Sequence, residues 1–86
     1  MNISVDISMY PLKGDFEPSI IDFIKKVRTL GLHVEENGLS TQVFGPFDQL
    51  MPLMTQEIKT ALSKEDNCVF VLKIVTGERK EHVPTF

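Results

Sequence analysis

Val5-Asp6-Ile7-Ser8-Met9-Tyr10-Pro11-Leu12 is the stretch that decides the fold of this chain. Apolar and polar residues alternate through it, and the alternation extends back to Ile3. Successive side chains of a strand point to opposite faces, so the pattern predicts a first strand at residues 2–10. One face is apolar, and the other carries a carboxylate, hydroxyl groups and an aromatic ring. That polar face is either a ligand platform or a solvated sheet surface, and the stretch alone does not separate the two.

Length and composition place the chain among small folded domains. Its 86 residues, 42% of them hydrophobic, predict one domain, residues 1–86, with one modest core. The net charge of −3 argues against nucleic acid or an anionic membrane as a partner, because both favour clustered Lys and Arg. The sequence begins without the pattern of a signal peptide or membrane span, so a cytoplasmic location is expected.

A helix and a hairpin are expected after the first strand. The helix covers about residues 17–30, with an acidic cap at Asp15 or Glu17 and a stop at Gly31. The hairpin has Asn37-Gly38 as its turn, because both residues tolerate positive φ. Its strands are predicted at residues 32–36 and 41–44.

A second helix and a last strand complete the predicted elements. Gly45-Pro46 is expected to break the preceding strand, and Asp48 to cap a helix that contains Pro52. Residues 68–75 are apolar at nearly every position and predict the last strand. The order β-α-β-β-α-β indicates an α+β, ferredoxin-like fold, in which a four-stranded antiparallel sheet carries both helices on one face.

That fold leaves one face of the sheet without helices. The last strand directs Val69, Val71 and Val75 to one side and other apolar residues to the opposite side. Strands that are apolar on both faces are usually covered on both faces. We therefore expect a homo-oligomer, a dimer or a tetramer, that associates through the open face or a sheet edge.

No group of residues predicts catalysis or metal binding. His33 and His82 are the only histidines and lack metal-ligand spacing, and Cys68 is the only cysteine, which excludes an internal disulfide. The adjacent acids Glu35 and Glu36 point apart in a strand. We expect no catalytic residue, no metal and no cofactor. Lys73, the one charge in the last strand, either binds an anion or forms an ion pair across the sheet.

Four segments together resemble the small YkoF-like thiamine-binding proteins. They are Asp6-Ile7-Ser8-Met9-Tyr10-Pro11-Leu12, Gly31-Leu32, Ser40-Thr41-Gln42-Val43-Phe44-Gly45 and Leu72-Lys73-Ile74. The resemblance covers nearly the whole chain and depends on the order of these short motifs. It implies a ferredoxin-like fold, assembly into dimers or tetramers, and binding of thiamine or its hydroxymethylpyrimidine precursor without chemistry.

The resemblance also implies site residues, namely Ser8, Tyr10 and Thr41, with Asp6 next. This chain has Ser40 where many members of that family have Gly. It has Pro46 after Gly45, at a position where those proteins often have an acid.

Physical chemistry supports such a ligand on its own. Tyr10 or Phe44 could stack on either ring, and cation–π attraction is worth about 0.5–2 kcal/mol. Asp6 could offset the thiazolium charge, while the Ser8 and Thr41 hydroxyls satisfy ring nitrogens. The first and third strands are expected to run parallel, which separates Thr41 from Tyr10, so a shared site requires a subunit interface.

Two other functions remain open at this point. One is a structural or regulatory oligomerisation module without a ligand. The other is a small cofactor-free dimeric enzyme, for which a deep apolar cavity holding His33 or another base would argue. Fold alone does not separate these functions, because function resides in the site.

Overall fold

Alternation in the first strand builds the core. In the computed structural model, which describes residues 1–79, β1 spans Asn2–Pro11. Its apolar residues at positions 3, 5, 7 and 9 are each at most 7% exposed. The residues between them face the other side of the sheet, where Asp6 is half-buried and Tyr10 is exposed. The predicted two-sided strand is therefore present, with its apolar side inside.

The remaining elements follow the predicted order β-α-β-β-α-β. They are α1 (Glu17–Arg28), β2 (His33–Glu36), β3 (Thr41–Pro46), α2 (Phe47–Ser63) and β4 (Cys68–Thr76). The four strands form one antiparallel sheet in the order β2-β3-β1-β4. The ferredoxin-like α+β fold is confirmed.

Both helices cover the same face of this sheet. Phe23 and Val27 of α1 join Leu50 and Met54 of α2 in one cluster with the buried side of β1 and with Val43 of β3. Val27, Leu50 and Met54 are completely buried. Neither helix in residues 1–79 has the length and hydropathy needed to cross a bilayer.

The direction of β3 differs from expectation. β1 and β3 are antiparallel neighbours, with Ile7 opposite Thr41 and Asn2 opposite Pro46, so the expected parallel arrangement is wrong. The β2–β3 hairpin reverses the chain direction and places β3, not β2, against β1. Thr41 thus lies beside the second half of β1.

The helix caps also differ from the predicted ones. α1 begins after Phe16 and α2 after Pro46, and neither cap residue makes a side-chain hydrogen bond. β3 runs through Pro46 directly into α2, so no loop is left in which Asp48 could act as a cap. The Phe47 N–H instead donates to the Met1 carbonyl at 2.8 Å. A backbone group of the neighbouring strand thus replaces the expected side chain.

The hairpin forms where expected, by a different mechanism. Asn37 and Gly38 do not adopt positive φ. Within residues 1–79, the residues with positive φ are Gly31, at +78°, which follows α1 as predicted, and Gly77. The Asn37 side-chain oxygen instead accepts hydrogen bonds from the N–H groups of Leu39 (2.8 Å) and Ser40 (3.1 Å). Such an Asx-type turn needs no left-handed residue.

Candidate functional site

A cavity of about 460 Å³ lies beside the C-terminal end of β1. It is enclosed by that strand, by α1 with the segment before it, and by the β2–β3 hairpin. Most of its wall is apolar, and hydroxyl and amide groups provide the rest. The lining residues are Ile7, Ser8, Met9, Tyr10, Pro11, Leu12, Phe16, Ile20, Phe23, Ile24, Asn37, Gly38, Leu39, Ser40 and Thr41.

The unequal lengths of β1 and β3 create this cavity. Pairing between the two strands ends at Ile7 and Thr41, whereas pairing between β1 and β4 continues to Pro11 and Cys68. The last four residues of β1 therefore have a strand on one side only. The hairpin turns away from them, and the space that β3 would have filled becomes the cavity.

The backbone of Met9 faces this space. The bonds from Phe47 N–H to Met1 C=O and from Gly77 N–H to Asn2 C=O, both 2.8 Å, show that odd residues of β1 point toward β3 and even residues toward β4. Neighbouring residues of a strand alternate in this way. Met9 lies two residues beyond the last pair with β3, so its N–H and C=O extend into the cavity as one donor and one acceptor.

Three hydroxyl groups on the cavity wall are uncommitted. Within residues 1–79, the side chains of Ser8, Tyr10 and Thr41 have no hydrogen-bond partner. Thr41 is 6% exposed and shares the helix side of the sheet with Ile7. Because the cavity surrounds the free edge of β1, it also reaches Ser8 and Tyr10 on the opposite face. The structure thus brings together three residues that the sequence suggested, in one chain.

Asp6 lies one hydrogen bond away from the cavity. Its carboxylate accepts hydrogen bonds from Gln42 Nε2, at 2.9 Å, and from Ser40 Oγ, and Ser40 lines the cavity. The hydrogen bond from Gln42, then that from Ser40, and then the charge of Lys73 lower the pKa of Asp6 against the opposing effect of burial. Lys73 stands directly opposite Asp6 on β4. Asp6 is therefore ionised and holds Ser40 in place, without itself lining the cavity.

Phe44 is not part of this site. It is 6% exposed, and its ring centroid lies 5.5 Å from that of His33. Phe44 pairs with Ser4 on β1, whereas Thr41 pairs with Ile7 at the end of the shared register. Of the two aromatic residues considered for stacking, only Tyr10 borders the cavity.

Among the described residues of the cavity wall, the Tyr10 phenol is the only ionisable group. His33 lies on β2, where its Nε2 is 3.3 Å from Glu35 Oε1, away from the cavity. His82 falls outside the described residues. In the part of the chain that the structure describes, no group of His, Cys, Asp or Glu is arranged to hold a metal ion.

Several residues of the site escaped sequence reasoning. Phe16, Ile20 and Leu39 supply apolar wall, and Met9 supplies backbone groups. Helical spacing marked Ile20 as a core residue, and it does pack at the edge of the core. Nothing in the pattern marks Leu39, because its role depends on where the hairpin turns. An unpaired stretch of β1 becomes visible only when the lengths of all neighbouring strands are known.

A second, smaller cavity of about 230 Å³ lies between the two helices and is lined by charge. Lys13 Nζ is 3.0 Å from Glu65 Oε2, and hydrogen bonds first from Ser19 and then from Lys13 lower the pKa of Glu65. Contact with Lys26 lowers the pKa of Lys64. Its three acids and three lysines balance in charge, and its wall is less apolar than that of the first cavity.

Solved structures show that this fold recurs elsewhere. A candidate thiamine biosynthesis or salvage protein from Thermotoga maritima matches with a TM-score of 0.81 and 22% identity, over 90% of this chain and 85% of its own. A protein from Streptococcus pneumoniae matches with a TM-score of 0.82 and 25% identity, over 91% and 89%. A hypothetical protein from Methanocaldococcus jannascii matches with a TM-score of 0.76 and 26% identity, over 95% and 87%. No family model and no curated protein matches the chain.

Proposed function

We propose that this chain is a non-enzymatic binding protein for thiamine or its hydroxymethylpyrimidine precursor. The observation that carries the proposal is the cavity at the free edge of β1, which joins an apolar wall to a few uncommitted polar groups. Its volume of about 460 Å³ lies within the usual range for small-ligand pockets. The likeness to a candidate thiamine biosynthesis or salvage protein supports the same ligand class.

The polar groups of the cavity complement an aminopyrimidine. Such a ring presents, along one edge, a nitrogen that accepts a hydrogen bond and an exocyclic amine that donates one. The Met9 backbone offers the reciprocal pair, an N–H donor and a C=O acceptor, and the Thr41 hydroxyl can serve either role. The apolar residues from β1 and α1 would cover the faces of the flat ring.

The thiazolium ring of thiamine would then lie toward the mouth of the cavity. Tyr10 is 50% exposed there, which suits an aromatic ring that attracts a cation. Asp6, ionised behind Ser40 in the middle of β1, adds a negative charge near the cavity. Hydroxymethylpyrimidine lacks the cationic ring and would forgo both interactions.

The side chains that border the cavity support the proposal of binding without chemistry. Serine and threonine hydroxyls are weak nucleophiles unless an adjacent base activates them. None of the described residues that line the cavity is a His, Asp, Glu or Lys. The apolar wall alone would suit a cofactor-free enzyme, but no described residue of that wall supplies the base that such an enzyme needs.

We also infer that the chain forms a homodimer or homotetramer. Val69, Val71 and Val75 are 44%, 51% and 40% exposed on the face that carries no helix. The proposed ligand site need not span two subunits, because β1 and β3 are antiparallel rather than parallel. One chain lines the cavity, and a second copy would lie near it rather than complete it.

Calorimetric titration tests the proposed ligand. We expect both thiamine and hydroxymethylpyrimidine to bind, and the analogue with a carbonyl in place of the exocyclic amine to bind at least about tenfold more weakly, because it reverses a donor into an acceptor. Thr41→Val should weaken both ligands by roughly tenfold, whereas the control Thr41→Ser keeps the hydroxyl. Absence of heat and of thermal stabilisation with millimolar ligand would overturn the proposal. It would leave an oligomerisation module, which the exposed valines also support.

A further inference from the structure

The two edges of the sheet are built differently. β2 has four residues, and His33, Glu35 and Glu36 are all exposed on it. β4 has nine residues, without Pro or Gly, and Lys73 is its one charge. Short, charged edge strands resist pairing with another chain, whereas long apolar ones invite it. Within residues 1–79, β4 therefore presents an edge of the kind that folded proteins usually cover.

The register shows which backbone groups of β4 face outward. The bonds from Gly77 N–H to Asn2 C=O (2.8 Å) and from Leu12 N–H to Asn67 C=O (2.9 Å) extend the β1–β4 ladder at both ends. They establish that odd residues of β4 point toward β1. Even residues, from Cys68 to Thr76, direct their N–H and C=O groups away from the sheet. At one end of the strand, the outward C=O of Thr76 already accepts a hydrogen bond from Arg79 Nε at 3.1 Å.

We propose that β4 pairs antiparallel with β4 of a second copy, with Leu72 opposite the partner's Leu72. Leu72 is the middle residue of Cys68–Thr76, so this register pairs the strand over its whole length. It is also an even residue, so its outward N–H and C=O can exchange hydrogen bonds with their counterparts. The two sheets then join into one of eight strands, related by a two-fold axis through Leu72.

Side chains across this junction match in character. Ile74, which is 49% exposed, would lie opposite the partner's Phe70, on the helix side. On the other side, Val71 would lie opposite the partner's Lys73. This register keeps the two copies of Lys73 apart, whereas a register centred on Lys73 would place like charges directly opposite each other. The charge of Lys73 therefore favours Leu72 as the centre.

A pair of substitutions at Val71 tests the register. Val71→Glu places a carboxylate opposite the partner's Lys73, twice in the dimer, and Val71→Lys places a second ammonium there. Within one chain, Val71 is two residues from Lys73 and diagonal to Asp6, so either charge meets one attraction and one repulsion. We expect sedimentation velocity to show a dimer dissociation constant about tenfold or more higher for Val71→Lys than for Val71→Glu.

Matched variants separate the register from a general loss of apolar surface. Val69→Glu and Val69→Lys change a residue on the same face whose counterpart is the uncharged Val75, so they should differ from each other by less than about threefold. Chemical unfolding of each variant at a concentration where it is monomeric checks that the fold is intact. A stable wild-type monomer at high micromolar concentration, or equal effects of the two Val71 variants, would overturn the proposal.

A cross-link provides an independent readout. In the Cys68→Ser background, Leu72→Cys should form a disulfide between two copies under mild oxidation, because directly opposed residues of this kind lie about 5.5 Å apart at Cα. Ile74→Cys should not, since its counterpart is Phe70. Efficient cross-linking at position 74 but not at 72 would contradict the proposed centre. None of these outcomes depends on the ligand, so a failure of this pairing and a failure of thiamine binding are separately visible.

Discussion

The two faces of the sheet are made by the same four strands but differ in what they do. On the helix face, alternate residues of β1 pack into a core with Phe23, Leu50 and Met54. On the other face, Asp6, Ser40 and Gln42 form a hydrogen-bonded cluster beside exposed valines. The first face provides stability, and the second presents charge, hydroxyl groups and exposed apolar side chains. The cavity lies where the pairing of β1 with β3 stops, at Ile7 and Thr41. Beyond that point a ligand can contact residues on both faces of β1.

The largest effect is expected from the helix face. Met54 is completely buried, so Met54→Ala should lower the free energy of unfolding by about 2–5 kcal/mol, through lost contacts and the cavity left behind. Met54→Leu, which nearly conserves volume, should cost less than about 1.5 kcal/mol. Urea denaturation of both variants measures the difference. Equal losses for the two would mean that packing at Met54 is not what holds α2 on the sheet.

Tyr10 tests whether the junction of the two faces binds a cation. Tyr10→Ala should weaken thiamine by about 0.5–2 kcal/mol, the range of cation–π contacts, and should weaken neutral hydroxymethylpyrimidine less. Tyr10→Phe retains the ring and should bind thiamine nearly as well as wild type. Titration calorimetry of both ligands with both variants decides this. A larger loss for the neutral ligand would place the thiazolium ring elsewhere.

The Asp6 cluster should contribute a pH-dependent part of the stability. Folding lowers the pKa of the Asp6 carboxyl. The contribution of Asp6 to the free energy of unfolding is therefore complete above the unfolded pKa of roughly 4, and it is lost as pH falls through the folded pKa. Asp6→Asn should therefore reduce the loss of stability between about pH 5 and pH 2. Because the group is only half-buried, we expect a difference below about 1 kcal/mol. Parallel curves of unfolding free energy against pH for both proteins would contradict this role.

The smallest effect is expected on the helix-free face. Val71 is 51% exposed, so Val71→Ala should change the stability of the monomer by less than about 0.5 kcal/mol. Val43→Ala, on the helix face and completely buried, is the matched comparison and should cost several times more. Chemical denaturation at low protein concentration measures both. Similar losses would show that the two faces do not differ as described.

Sequence reasoning predicted the fold because each element carried its own local signal. Alternation marked β1, helical spacing marked α1, and a run of apolar residues marked β4. The predictions were wrong where two elements connect, because the group that forms the deciding hydrogen bond there was not evident from the local pattern. Asp48 is a good cap by type, yet the Met1 carbonyl already receives the first N–H of α2. Asn37-Gly38 marked a turn correctly, but a side-chain hydrogen bond, not positive φ, forms it.

The site was predictable in its side chains but not in its geometry. Ser8, Tyr10 and Thr41 were named from the sequence, and the structure places them on one cavity wall. Their proximity depends on β3 running antiparallel to β1, which was predicted the wrong way round. Phe44 was named for its ring, but its position in the register places it beside His33. The backbone of Met9 has no signature in sequence at all, because what matters there is the absence of a neighbouring strand.

The pairing of β1 with β4 has a consequence for how the protein is made. Ile3 lies opposite Thr76, so Ile3 cannot be paired on this side until a strand that is synthesised much later is available. Contacts between such distant parts of the chain form slowly, because a long loop must close first. Until Cys68–Thr76 has left the ribosome, the central strand keeps one side open to other nascent chains. Slow translation, or a stall before Cys68, would therefore lengthen the period in which β1 is open to contacts with other chains.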